Sequence, residues 1–144
     1  MPRCRVFAID HGLKEIVADG LYGKHLFGET VSVAVVKFVE KAGRDLPAKS
    51  HSHGEEASLQ VLGGCHLYET RDGLGPGHED PSKDHMTLMR AGHAALMPAD
   101  RMHYGANLFG PEGVSMRLNV VTPPRKEYGP EDSVPYYPLK SRKD

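Results

Sequence analysis

An all-β fold, a sandwich or a barrel, is what this sequence predicts. Short β-branched and apolar runs recur along the chain at regular intervals. Turn signals rich in Gly, Pro and Asp separate them. Strand-like runs far outnumber helix-like ones.

Taken in order, the first 25 or so residues are compatible with a short helix or an edge strand. Val31–Val39 (VSVAVVKFV) reads as a strand, Arg44–Pro47 as a turn and Ala48–His53 as an extended segment. Ala57–Leu62 is a strand, Gly63-Gly64 a hairpin turn and Cys65–Thr70 the return strand. The Gly-, Pro- and acid-rich stretch Arg71–Asp84 is a loop. His85–Arg90 and Ala94–Met97 are strands about a turn at Ala91-Gly92. Pro98-Ala99-Asp100 turns the chain into Arg101–Phe109, Gly110–Gly113 turns it again, and Val114–Val121 is the last strand before Pro123-Pro124.

Length and composition narrow the class. A chain of 144 residues fits a single domain with a real core. Its net charge of −1 carries no nucleic-acid footprint. No apolar run is long enough to span a membrane, and MPRCRVFAIDHG lacks the apolar stretch of a secretory signal. Two cysteines, Cys4 and Cys65, make no disulfide framework and fit a reducing cytoplasm. Cys65 reads as a buried inert thiol.

Two short motifs carry chemistry. His51-Ser52-His53-Gly54-Glu55-Glu56 places two imidazoles at alternate positions of an extended segment, so both point to one face and can grip one ion. Some fifty residues on, Gly92-x5-Pro98-x-Asp100-x2-His103-x3-Asn107 offers a third imidazole from a distant strand. Neutral imidazole suits Fe, Zn, Ni and Cu better than Ca or Mg. Lys49 shares the face of His51 and His53; it is either a group that holds a substrate carboxylate or carbonyl, or a rim lysine reaching for water. On the last strand, Val114, Met116, Leu118 and Val120 share one face and Ser115, Arg117, Asn119 and Val121 the other. Inside the barrel, Arg117 is an anion clamp; outside it is an ordinary surface charge.

Together these motifs resemble those of the cupin superfamily, over roughly residues 30–124. The second motif matches at Gly92, Pro98, His103 and Asn107, with Asp100 where glycine is usual. The first matches at His51, His53 and Gly64, while Gly43 stands two residues upstream of the usual glycine. The resemblance implies a single cupin domain over 1–144, a double-stranded β-helix (jelly-roll barrel) with an N-terminal extension and a C-terminal tail. It implies a divalent transition metal (Fe, Zn, Ni or Mn) on His51, His53 and His103. Counting back from Gly64, the family's glutamate position falls on Ala57, with Glu56 one residue early. A one-residue bulge would let Glu56 reach the metal; without it the site is three histidines and water. The resemblance also implies a small-molecule substrate and a homodimer, with Val31–Val39 at the edge where two copies meet.

Three functions follow from such a site. A Lewis-acidic ion on a keto or hydroxy acid supports isomerase or lyase chemistry. Fe(II) with an open position supports a dioxygenase. A closed coordination sphere suits a non-catalytic binding or sensor module. Among cupins, HSHGEE, the strand ending Leu62-Gly63-Gly64 and Thr122-Pro123-Pro124-Arg125-Lys126-Glu127-Tyr128 are similar to the small proteins that linearise unsaturated uronates.

Overall fold

Eleven strands and no helix make up the described part of the molecule, a computed structural model in which residues 3–40, 49–50, 54–69, 85–99, 101, 103–124 and 134–135 are described, those at 17, 49, 50, 104, 134 and 135 by backbone alone. In chain order the strands are β1 (Lys14–Val17), β2 (Leu21–Phe27), β3 (Ser32–Val39), β4 (Lys49–Ser50), β5 (Glu55–Leu62), β6 (Gly64–Glu69), β7 (His85–Arg90), β8 (Ala94–Met97), β9 (His103–Leu108), β10 (Val114–Thr122) and β11 (Val134–Pro135). A six-stranded antiparallel sheet runs β1-β2-β3-β10-β5-β8 and faces a three-stranded sheet β7-β6-β9, with β4 and β11 paired beside them. From β5 onward the chain passes back and forth between the two sheets, β6 and β7 lying together in the smaller one, the winding of a jelly roll.

Three sequence expectations change at this level. The undecided N-terminal segment forms a β1–β2 hairpin, closed through Asp19 at φ 56°. That hairpin takes the sheet edge. β3, expected at a dimer edge, is therefore hydrogen-bonded on both sides, to β2 and to β10. Gly63-Gly64 is not a hairpin turn either. β5 pairs with β10 and β8, whereas β6 pairs with β7 and β9. Gly63 is thus a corner where the chain leaves one sheet for the other, a bend that sandwiches make with bulges or kinks. Only glycine fits the corner: φ is +61° and an added Cβ would stand 2.2 Å from the Val114 carbonyl oxygen.

A bulge accompanies this corner. Met116 of β10 faces Leu62, yet the next residue, Arg117, faces Gln60, so Val61 is an extra residue in β5. Side chains alternate along a strand. The extra residue therefore sets which members of β5 point inward. Glu56, Ser58 and Gln60 are buried, while Glu55, Ala57 and Leu59 are exposed.

The interior is lined in rows, because residues opposite one another in an antiparallel ladder share a face. Ser32, Val121, Glu56 and Met97 form one row across the large sheet; Ala34, Asn119, Ser58 and Ala95 form the next; Val36, Arg117 and Gln60 the third. Cys65 and Met89 face them from the small sheet, buried at the same depth of the sandwich as Arg117. On the outside of the large sheet the N-terminal segment is tied down by Lys37–Asp10 at 2.8 Å, by Lys24 Nζ donating to the His11 carbonyl at 3.2 Å, and by Lys24 over the Phe7 ring. No helix among the described residues is long and apolar enough to cross a membrane.

Candidate metal centre

Strand β9 begins with His103 on its inner face, opposite Glu69 of β6. Across the barrel stands Glu56 of β5. His103 Nε2 lies 3.3 Å from Glu56 Oε2, and each residue is only 4% exposed. The ring is oriented by its other nitrogen, which sits 2.8 Å from the Arg101 carbonyl oxygen. A carbonyl can only accept, so Nδ1 carries the hydrogen and Nε2 of the neutral ring presents a lone pair. Arg101 is held in turn by its Nε, 3.3 Å from Glu69 Oε1, and by its backbone N–H on the Pro98 carbonyl at 3.3 Å. The turn that begins at Pro98 thus aims His103, and its second anchor, Glu69, was not singled out from sequence. Alternation along Cys65–Glu69 was the signal that could have found it.

A carboxylate oxygen and an imidazole lone pair, buried and 3.3 Å apart, repel unless something positive lies between them. A proton on the ring or a shared cation satisfies both. The donor set, one carboxylate and one Nε2 with a fixed tautomer, is chemically suited to a first-row divalent ion.

The other predicted site residues fall as follows. His51 and His53 lie outside the described residues. The backbone of Lys49 pairs with Pro135, and β4 lies alongside β9. Gly54, directly after His53, packs on the Thr122–Pro123 backbone, one residue past the Val121–Glu56 row. Glu56 faces inward and Ala57 outward, so the bulge that the sequence left open is present, at Val61. Among the described residues no group of three or more His, Cys, Asp or Glu is gathered for a metal. Arg117 takes the inner face, and the surface reading of it is corrected: it is 9% exposed, 5.0 Å over the Phe38 ring. Burial lowers the pKa of its guanidinium, an effect offset in part by Cys65 and Glu56.

Hydrogen bonds between side chains, invisible to motif reading, stiffen this interior. Ser58 Oγ donates to Asn119 Oδ1 at 2.7 Å. Gln60 Nε2 donates to the Leu62 carbonyl and to Ser115 Oγ, and Ser115 donates to the Gly64 carbonyl. Of the remaining histidines, exposed His93 accepts the Arg90 N–H with Nδ1 and so finishes a turn; the 71–84 loop with His78 lies outside the described residues.

Cys65 is 1% exposed, and burial raises its thiol pKa against a smaller opposing effect of Arg117. Cys4 is exposed. A thiol-specific chromogenic disulfide should therefore titrate one thiol rapidly in the native protein and the second only in denaturant. Two fast thiols would contradict the buried placement.

No family model and no curated protein matches the chain. Solved structures do. KdgF from Halomonas sp. superposes with a TM-score of 0.63 at 17% identity, over 87% of this chain and 97% of that one. An RmlC-like cupin from Shewanella frigidimarina NCIMB 400 gives 0.59 at 17% identity, over 87% and 95%. Oxalate decarboxylase of Bacillus subtilis, a protein with Mn(II) centres, gives 0.58 at 11% identity, over 86% of this chain and 30% of that one. The all-strand jelly roll described above is the cupin fold, the double-stranded β-helix.

Proposed function

We propose that this barrel is a metal-binding cupin in which His51, His53, Glu56 and His103 hold one divalent transition ion. We further propose that it acts on a small oxygen-rich acid by isomerase or lyase chemistry. The observation that carries the reading is the buried Glu56–His103 pair, a carboxylate and an imidazole 3.3 Å apart with the ring oriented by its Nδ1 bond to Arg101. Placement supports the two histidines: the described backbone on either side of residues 51–53 lies by β9 and by the end of β10, near that pair. When bound, the ion would serve as a Lewis acid on chelating oxygens of the substrate.

The chain's own residues would do the rest. Glu56 would reach the ion from the inner face of β5, where strand parity puts it, and His103 would be held toward the ion by its Nδ1 bond to the Arg101 carbonyl. The sandwich walls keep bulk water from the interior, which strengthens each polar contact made there. Lys49, on the strand that leads into His51, would meet an anionic or carbonyl group of the substrate.

The Fe(II) dioxygenase reading is favoured if Ala57 stands at the fourth ligand position, and Ala57 faces out, which supports the isomerase or lyase reading over it. The test is elemental analysis of untagged protein never exposed to chelating resin, followed by oxygen uptake with candidate keto and sugar acids. One equivalent of Mn, Fe, Ni or Zn without oxygen consumption is expected. Substrate-triggered oxygen uptake would replace the proposal with an oxygenase. Absence of any metal would mean that the motifs maintain a fold and no site.

A further inference from the structure

An antiparallel sheet with one face in water normally carries polar side chains on that face. The outer face of the large sheet departs from this. Side chains alternate along a strand, so the residues between the buried rows point outward. On β8 they are Ala94 and Leu96, on β5 Ala57 and Leu59, on β10 Leu118 and Val120. None of the six carries a polar group. Over β2 and β3 the N-terminal segment lies on this face: Lys37 holds Asp10, Lys24 holds the His11 carbonyl, and Val35 is only 1% exposed. Toward the β8 edge the face is open. Leu59 is 40% and Leu96 66% exposed, and Ala57 and Ala94 are exposed beside them. Glu55 and Thr122 bound the patch at one end.

Size and relief say what fits there. Strands lie ~4.8 Å apart and outward residues ~6.8 Å apart along each strand, so the six residues cover ~200 Å² of sheet. A standard interface takes ~800 Å² from each partner, with an apolar centre inside a polar rim. The patch has the extent of such a centre, and a partner as broad as the sheet itself would supply the rim. Its relief is self-complementary. Ala57 pairs with Leu96, and Leu59 with Ala94. The two leucines therefore stand on one diagonal and the two alanines on the other. A two-fold axis between β5 and β8, parallel to both, sets each leucine of one copy over an alanine of the other. Sheets stack in this way ~10 Å apart, with strands nearly aligned and side chains interdigitated. A two-fold contact requires a patch that complements itself. Charge permits it as well, because a net charge of −1 leaves two copies with little mutual repulsion.

We infer that two copies of this chain pack face to face through the outer sides of β8, β5 and β10, with Leu59 and Leu96 as the anchors. The interface is not the one expected from sequence: β3 lies inside the sheet under the N-terminal segment, and the contact belongs to the opposite half of the face. It does not depend on a metal. Glu56 and Arg117 point to the other side of β5 and β10, so the second copy would back the wall that carries them and add no residue to the candidate site.

Sedimentation velocity of the untagged full chain across the micromolar range tests this, since a patch of this size predicts a Kd there. Wild type is expected to pass from monomer to dimer as concentration rises. Leu96→Glu should raise the Kd at least ~30-fold, because the two-fold buries two carboxylates with no partner. Leu96 is exposed enough for the substitution to spare the core, and a thermal melt of the monomeric variant checks this. Leu59→Glu should act in the same way, so a folding defect in one variant leaves the other to decide. Met86→Glu, at a residue 46% exposed on the small sheet, should dimerise like wild type. A wild type that stays monomeric at every concentration overturns the inference. So does a dimer that survives both Leu96→Glu and Leu59→Glu, or one lost equally in Met86→Glu. Flotation of wild type with phosphatidylcholine vesicles at the expense of the dimer would also overturn it, and would give the face to a lipid surface.

Discussion

Replacing His103 by alanine is expected to strip the protein of stoichiometric divalent metal. Loss of a partner outside the coordination sphere weakens metal binding by ~10–100-fold, and removal of a ligand should exceed that. Glu56→Gln separates two roles. The amide retains size and polarity but loses the negative charge that would hold a cation beside His103, 3.3 Å away. If Glu56 coordinates, Glu56→Gln weakens metal binding measurably while His103→Ala abolishes it. Competition against a metallochromic chelator gives both affinities. Full metal content in His103→Ala would disprove the two-motif site. A fold check is needed with each variant: Glu56→Gln keeps the side chain's volume, whereas His103→Ala empties a buried site and should lower stability without preventing folding.

Gly54→Ala should be nearly as damaging, through the backbone instead of the ligands. A Cβ at Gly54 would fall 1.6 Å from the Thr122 carbonyl oxygen and 2.3 Å from Pro123 Cδ. Neither is the flexible end of a side chain, so β5 must move off β10 at the point where His53 precedes it and Glu56 follows. The expected cost is ~4 kcal/mol or more, in the range reserved for strain and severe overpacking, with metal lost as well. Gly92→Ala is the control. Its added Cβ meets nothing within 4 Å, and only the positive φ of 90° opposes it, a cost of ~1–2 kcal/mol. Urea melts of the two variants would show the difference as a shift of midpoint at constant slope. Equal midpoints would mean that β5 and β10 do not approach as closely as described.

Much of this was legible before any coordinates. The strand runs from Val31 to Val121 were read within one to three residues of their observed limits wherever they are described, because β-branched patterning and Gly/Pro punctuation act locally. The spacing of His51, His53 and His103 named the fold family, and Gly92, Pro98 and Asn107 confirmed the second motif. Pairing partners were not legible. Gly63-Gly64 carries the same local signal whether the next strand returns alongside or crosses to another sheet, and β3 looks like an edge until the N-terminal hairpin is seen to cover it.

The sequence by itself determined that the chain is built of strands, and it carried the two histidine motifs on which the proposed site rests, since composition, alternation and spacing are properties of short windows. Only the tertiary structure decided that Glu56 and not Ala57 faces the barrel, and that Arg117 is inside it. The physical reason is parity. One bulged residue at Val61 inverts every side chain on the strand before it. Which face of β10 is interior depends on the sheet packed against it, a long-range fact that no local pattern along Val114–Thr122 contains.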